Sequence, residues 1–304
     1  MHSHHSHSGQ FCKHASGQLE EVVLEAISQQ FQVYGLTEHV PRYRLDDLYP
    51  EEASVTPDDL MSQFENFLAE AHRLKTKYAS QITLLVGLET EYITEADLSG
   101  LKGILEKFGH QVEYIVGSVH HVHTVPIDFD KPTYEKAIQK SSSNGDFYIA
   151  YFDAQYELFQ RFKPEVIGHF DLCRLFTPDV QFSDLPLVWE RIVRNIRYAA
   201  NYGALFEINA AAFRKQWNTA YPGTEILQVI RSEGGKFALS DDSHGPHAVG
   251  LNYHRVLDYL KEVGVTELWY LDKTGIPNSA GRFLRPRILG GDWTTHPFWT
   301  ARQT

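Results

Sequence analysis

Cysteine is nearly missing from this chain. Cys12 and Cys173 are the only two in 304 residues, too few for a disulfide framework, and a reducing cytoplasm is the natural compartment for such a protein. Basic residues are also scarce: 28 Lys and Arg stand against 39 Asp and Glu, a formal net charge of −11. That balance argues against a nucleic-acid surface, which needs clustered cations to meet phosphates. No apolar run is long enough to span a bilayer, and the N-terminus is polar rather than basic and then apolar. No low-complexity tract suggests a linker, and no G-x-S-x-G elbow or comparable signature offers a Ser or Cys nucleophile. The expectation is a soluble intracellular protein with no membrane or nucleic-acid partner.

What the chain does have is histidine, in particular places. His39 follows VYGLTE, Glu89 follows ITLLVGL, His120 follows VEYIVGSV, His169 follows PEVIG, and Asp242 with His244 follows KFALSD. Each sits just past a short apolar, strand-like run. His5, His7 and His14 add to the set at the N-terminus, where histidines alternate with Ser and lead into FCKH, unlike the homogeneous run of a purification tag. Side chains this far apart in sequence converge only where a parallel barrel or sheet gathers its strand ends, which is where α/β folds place their chemistry.

The intervening segments fit that architecture. Leu19, Val22, Val23, Ala26 and Ile27 follow helical spacing. Thr56-Pro57-Asp58-Asp59 reads as an N-cap, a proline at N1 and an acidic first turn, ahead of the stripe Leu60, Phe64, Phe67, Leu68 and Ala71. Further strands are expected at 33–37, 112–119, 165–168, 204–208 and 236–240, with helices at 187–200 and 225–233. The alternation predicts βα units with right-handed crossovers and all strand ends on one face. Residues 120–163 exceed a simple βα loop and read as an insertion with two helices broken at Ser141–Gly145. Residues 267–271 form a further strand-like run, and 272–304 an irregular surface tail. The whole chain, 1–304, reads as one domain.

Imidazole nitrogen and carboxylate oxygen are the donors preferred by zinc, iron and manganese, and a bridging carboxylate can hold two such ions about 3.5–4 Å apart in hydrolytic sites. On a strand, His5-x-His7 and Asp242-x-His244 would each present two donors to one face. Any one histidine alone is more readily a surface or hydrogen-bonded residue, and His72, His110, His254 and His296 are placed in that class. The pattern as a whole reads as a multinuclear metal site.

The segments HSH at 5–7 with His14, GLTEHVPR at 35–42, GLETEY at 87–92, GSVHH at 117–121, IGHFDLCR at 167–174, FEINAAAFRK at 206–215 and SDDSH at 240–244 together resemble the polymerase and histidinol phosphatase (PHP) family. Within it they are most similar to the fungal branch. The resemblance covers roughly residues 1–255. It implies a distorted TIM-like (β/α)7 barrel with three divalent ions (Zn, Fe or Mn) at the strands' C-terminal ends, ligated by His5, His7, His14, His39, Glu89, His120, His169, Asp242 and His244, with Glu89 bridging two of them. His2-x-His4 matches the first motif as well; His5 and His7 leave a spacing to His14 closer to the family's.

The implied activity is metal-dependent hydrolysis of L-histidinol phosphate by a metal-bridging hydroxide, in histidine biosynthesis, with Asp242 and His244 in the catalytic centre. A related phosphoesterase acting on a small nucleotide or an oligonucleotide end is the alternative. Arg174 is the first candidate for gripping phosphate oxygens, since a guanidinium matches them bidentately, with a salt bridge at a helix start as its other reading. Arg214 and Lys215 are weaker candidates, and Arg42 is a further one for substrate binding. The substrate's amine and imidazole call for acceptors, for which Glu91, Glu207 and Asn209 stand at strand ends; their other reading is to orient metal-bound histidines.

Overall fold

Seven parallel strands form a nearly closed barrel in the computed structural model, which describes residues 1–300. The elements run β1 (His2–Ser3), β2 (Ser6–His7), α1 (Leu19–Ser28), β3 (Val33–Leu36), α2 (Pro57–Lys77), β4 (Thr83–Glu89), α3 (Glu95–Phe108) and β5 (Tyr114–Gly117). A small hairpin, β6 (His121–Val122) and β7 (Val125–Pro126), precedes α4 (Lys131–Gln139) and α5 (Asn144–Phe162). Then come β8 (Val166–Ile167), α6 (Pro186–Tyr202), β9 (Leu205–Asn209), α7 (Thr224–Ser232), β10 (Lys236–Ser240), β11 (Ser243–His244) and α8 (Tyr253–Glu262). The chain finishes with β12 (Trp269–Lys273), β13 (Leu284–Ile288) and the short α9 (Pro297–Thr300). The sheet order is β1-β3-β4-β5-β8-β9-β10, every pair parallel.

Period-two alternation divides each strand between two cores. Leu84, Val86, Leu88, Ile115, Phe206 and Ile208 pack outward among the helices. Val33, Leu85, Tyr114, Val116, Val166, Leu205 and Ala238 face the barrel axis in a separate cluster. The inward row of β4 therefore runs Leu85, Gly87, Glu89, and that of β9 runs Leu205, Glu207, Asn209. At the C-terminal rim the same alternation that buries leucine deeper down presents a carboxylate. Gly87 is needed in that row, because a Cβ there would stand 2.6 Å from the Tyr114 ring.

The first strand breaks between Ser3 and Ser6, and the break lets both histidine pairs serve the interior at different depths. His2 and His4 lie in the lower layer, fully buried and stacked with ring centroids 5.0 Å apart. The Leu239 amide donates to His2 Nε2 at 2.9 Å, and the Leu271 amide donates to His4 Nε2 at 3.0 Å. Burial lowers both rings, His4 to about 3, so both remain neutral acceptors. His5 and His7 occupy the upper layer. There β2 pairs in parallel with β11, Ser6 with Ser243 and His7 with His244, joining the two ends of the ring beside the site.

Several details depart from the sequence reading. The terminal tail is ordered over residues 272–300: β12 and β13 pair antiparallel, and Leu271 and Leu284 insert into the lower end of the axial cluster. Residues 267–271 thus plug the barrel from outside its ring. The last four residues of the expected tail, 301–304, lie outside the described residues. Two helices appear between 120 and 163 as expected, broken at Ser141–Ser143. α5 packs on α6 and is the ordinary crossover helix, so the true addition is the β6–β7 hairpin with α4. α3 and α8 were not read from the sequence, although Thr94 accepting from the Ala96 amide, with Asp97 completing a capping box, marks the start of α3.

Candidate metal centre

Glu89 is the hub of the rim. Its Oε1 lies 3.2 Å from His5 Nε2, 3.2 Å from His120 Nε2 and 3.1 Å from His169 Nε2. Its Oε2 lies 3.3 Å from His7 Nε2 and 3.0 Å from His39 Nδ1. Asp242 Oδ1 stands 3.7 Å from His5 Nε2, from His7 Nε2 and from His244 Nδ1. His14 completes the wall, its ring centroid 5.0 Å from that of His244 and 5.4 Å from that of His39. All nine residues named from the sequence border this one centre. His5 and His7, rather than His2 and His4, reach it.

The donor set fits divalent cations. His5 Nε2 and His7 Nε2 stand 3.1 Å apart, and His120 Nε2 and His169 Nε2 3.3 Å apart. Two imidazole nitrogens at that distance repel through their lone pairs unless a proton or a cation lies between. His39 Nε2 is buried with no hydrogen-bond partner among the described residues. Donor atoms from His5, His7 and Glu89, from Glu89, His120 and His169, and from His7, His39 and His244 lie within 4.8 Å of one another, as a shared cation requires.

Carboxylates hold the rings from behind. Glu207 Oε2 is 3.2 Å from His5 Nδ1, Glu38 Oε2 is 3.4 Å from His7 Nδ1, and Glu91 Oε2 is 3.2 Å from His120 Nδ1. Such partners fix the tautomer and raise ligand basicity. His244 Nδ1 lies 3.0 Å from the Asp242 carbonyl oxygen, which leaves Nε2 as the free donor. Glu38 had not been picked out of the sequence, because adjacent residues on a strand face opposite ways; β3 ends at Leu36, and past it Glu38 and His39 both serve the centre.

This electrostatics has a measurable consequence. Burial pulls the His5, His7 and His120 rings down, but Glu89 with its neighbouring carboxylates outweighs it, carrying His7 to about 9 and the other two well above their ordinary value. Glu89 is held well below the carboxylate range, its burial outweighed by His5, His120 and His39. Without a cation the surrounding carboxylates favour protons on this group of rings, and loading must displace protons from it. Divalent-ion affinity is expected to rise with pH above neutrality, His7 giving up its proton at about 9, with net proton release that calorimetry in buffers of different ionisation enthalpy will detect. A pH-independent affinity without proton release would contradict this account.

The sequence reading needs correcting on the substrate side. Arg174 does not reach the cavity. Its Nε donates to Asp171 at 2.5 Å, Nη1 to the Pro178 carbonyl at 3.2 Å and Nη2 to Thr219 Oγ1 at 3.1 Å, and the guanidinium lies 4.2 Å over the Trp217 ring. Glu207 and Asn209 are fully buried and committed: Glu207 Oε1 accepts from the His169 amide and from Asn209 Nδ2, and Asn209 Nδ2 also reaches Asp242. Glu91 is occupied between His120 and His121. Arg42 ion-pairs with Glu52 at 2.6 Å. Asp242 is not on a strand with His244: β10 ends at Ser240, and Asp242 turns through a positive φ of 46° to bring its carboxylate back to the rim.

Above the centre opens a cavity of about 510 Å³, into which Arg214, Lys215 and His247 also project. Arg214 and Lys215 are exposed and lie on the short turn after Asn209, with Arg214 Nη2 donating to the Asp242 carbonyl at 2.9 Å. His247, unread in the sequence, lies 3.2 Å from Ser16 Oγ.

Residues 3–211 match the PHP domain family. The chain is 48% identical over 296 residues to a probable histidinol-phosphatase of Schizosaccharomyces pombe, covering 96% of this chain and 95% of that one. It is 32% identical over 334 residues to the histidinol-phosphatase of Saccharomyces cerevisiae, covering 98% and 99%. Among solved structures, a putative histidinol phosphatase of Listeria monocytogenes superposes with a TM-score of 0.72 at 25% identity, over 83% of this chain and 98% of that one. The histidinol phosphate phosphatase of Lactococcus lactis, solved with zinc, L-histidinol and phosphate, gives 0.64 at 19% identity over 93% and 98%, a likeness of fold.

Proposed function

The chain belongs to the PHP domain family, and from that premise we propose that it is a divalent-metal-dependent phosphatase that hydrolyses L-histidinol phosphate to L-histidinol and inorganic phosphate. The observation that carries this reading is the convergence of five imidazoles on Glu89 beneath a cavity edged by two exposed cations, in a chain nearly half identical to a fungal relative along its whole length. Its substrate is a small phosphate monoester. Among the described residues no helix is long and apolar enough to cross a membrane.

The nine rim residues would hold three divalent ions, Glu89 offering an oxygen to the donors on either side of it. When bound, such ions neutralise the ester dianion and acidify a water for attack on phosphorus. The chain's own residues do the rest. Glu207 and Glu38 keep His5 and His7 aimed inward with their back-side nitrogens engaged, and the Glu91 carboxylate stands 3.2 Å behind His120. Arg214 and Lys215 take the role first given to Arg174, binding phosphate oxygens from the open side. Leu172, Leu175 and Tyr221 line the cavity as well, limiting the water around the ester.

Purified protein supplied with Zn, Fe or Mn is expected to release phosphate from L-histidinol phosphate, and a chelator should remove that activity until metal is restored. Full metal occupancy with no turnover of this ester, but turnover of another phosphomonoester or of an oligonucleotide end, would overturn the substrate.

A further inference from the structure

The cavity over the metal centre continues into a second lobe of about 290 Å³, and the two share His14, His39, His120 and Asp128 in their walls. They differ in what stands beside the shared residues. The first lobe holds the exposed Arg214 and Lys215, with His247, over Glu89 and Asp242, whereas the second has no exposed cation in its wall among the described residues and is lined by Tyr49, Glu51, Glu91 and Phe129 along with Asp128. Arg42 also borders the second lobe, but it stacks 4.6 Å over the Tyr49 ring and its charge is matched by Glu52. One side of the metal centre thus suits an anion and the other a cation with an apolar ring.

The three carboxylates of the second lobe are not equally free. Glu91 is held between His120 and His121, and Glu51 lies 3.5 Å from His14. Asp128 is hydrogen-bonded by the Tyr49 hydroxyl at 2.9 Å and is only half-buried. Beside it, the Phe129 and Tyr49 rings stand 5.9 Å apart at 53°, with Phe129 40% exposed at the rim. Asp128 and Phe129 come from the segment between β7 and α4, the part of the chain added to the simple βα unit.

We propose that this lobe receives the cationic end of the substrate, Asp128 accepting from its ammonium or imidazolium and Phe129 covering its ring. This fixes the direction in which the ester lies across the metal centre, phosphate toward Arg214 and Lys215. The assignment rests on the phosphatase reading above, and it selects for phosphomonoesters whose alcohol bears a positive charge and a flat ring. A charge-assisted hydrogen bond of this kind is worth about 10- to 100-fold in binding.

The test compares kcat/KM for L-histidinol phosphate with kcat/KM for phenyl phosphate, which has a ring but no cation, in the metal-loaded wild-type, Asp128→Asn and Phe129→Ala proteins. In Asp128→Asn the ratio of the two is expected to fall by about 10-fold or more, chiefly through KM, and the inhibition constant of L-histidinol to rise by a similar factor. Phe129→Ala, at a position 40% exposed, should raise the same inhibition constant several-fold. If the wild type prefers L-histidinol phosphate and neither ratio nor inhibition moves in either variant, the lobe assignment is overturned and the function stands. If the wild type turns over phenyl phosphate but not L-histidinol phosphate, the function falls and takes the assignment with it.

Discussion

Glu89→Gln is expected to lower kcat/KM for L-histidinol phosphate by about 10⁴-fold, roughly 5 kcal/mol of transition-state stabilisation, and to leave the protein short of divalent ions while still folded. Glutamine keeps the volume and one oxygen. It removes the charge and puts an amide donor among five ring nitrogens that stand 3.0–3.3 Å from the native carboxylate oxygens. A side chain that bridges two groups of donors cannot be replaced by its neighbours, so both the affinity and the spacing of the ions should suffer. Glu207→Gln, one layer back from the same centre, should cost only about 10- to 100-fold, the usual toll for a partner that orients a ligand. Elemental analysis alongside kinetics separates the two: the first variant loses metal, and the second keeps most of it with a poorer rate. A Glu89→Gln protein with its full complement of ions and activity within 10-fold of wild type would refute the central position given to this residue.

The candidate centre was legible because most of its donors lie at or just past the end of a strand-like run, and the inward row of a parallel strand is legible as alternation: Leu85, Gly87, Glu89 in β4, and Leu205, Glu207, Asn209 in β9. The doubled HxH could not be resolved that way. Strict alternation sends residues 2 and 4 one way and 5 and 7 the other, and only the break between β1 and β2 lets all four face the axis, in separate layers. Least visible were residues that no strand-end pattern marks: Glu38 hides behind His39, and Asp128 comes from an irregular segment with no periodicity to place it. The sequence marks Asp242 as a candidate ligand, but not the left-handed residue geometry that brings it back to the rim. The β12–β13 hairpin was missed for a related reason. Its outward row on β13 carries Arg285 and Arg287, so the short apolar face, Leu271 and Leu284, carries little weight in the pattern although it closes the barrel's lower end.

Arg174 is where the two readings of a sequence motif lead to opposite experiments. A guanidinium five residues past His169 looks like a phosphate grip, yet this one is 7% exposed and spends its donors on Asp171, Pro178 and Thr219. Asp171 is fully buried; among the described residues its Oδ2 accepts from Arg174 and the Gly223 amide, and its Oδ1 has no hydrogen-bond partner. Removing the guanidinium leaves that carboxylate charged and uncompensated, the situation that makes breaking a buried pair far costlier than never having formed it. Arg174→Met, which keeps most of the side chain's length, is therefore expected to lose about 3–5 kcal/mol of stability, read as a lower midpoint in denaturant with an unchanged slope. Arg214→Gln should do the reverse. Its side chain is exposed and donates to the Asp242 carbonyl, so folding stability should stay within about 0.5 kcal/mol of wild type while KM for the ester rises. Were Arg174 the residue that holds phosphate, its variant would keep wild-type stability and bind the ester poorly; the buried pair with Asp171 predicts that the fold weakens first.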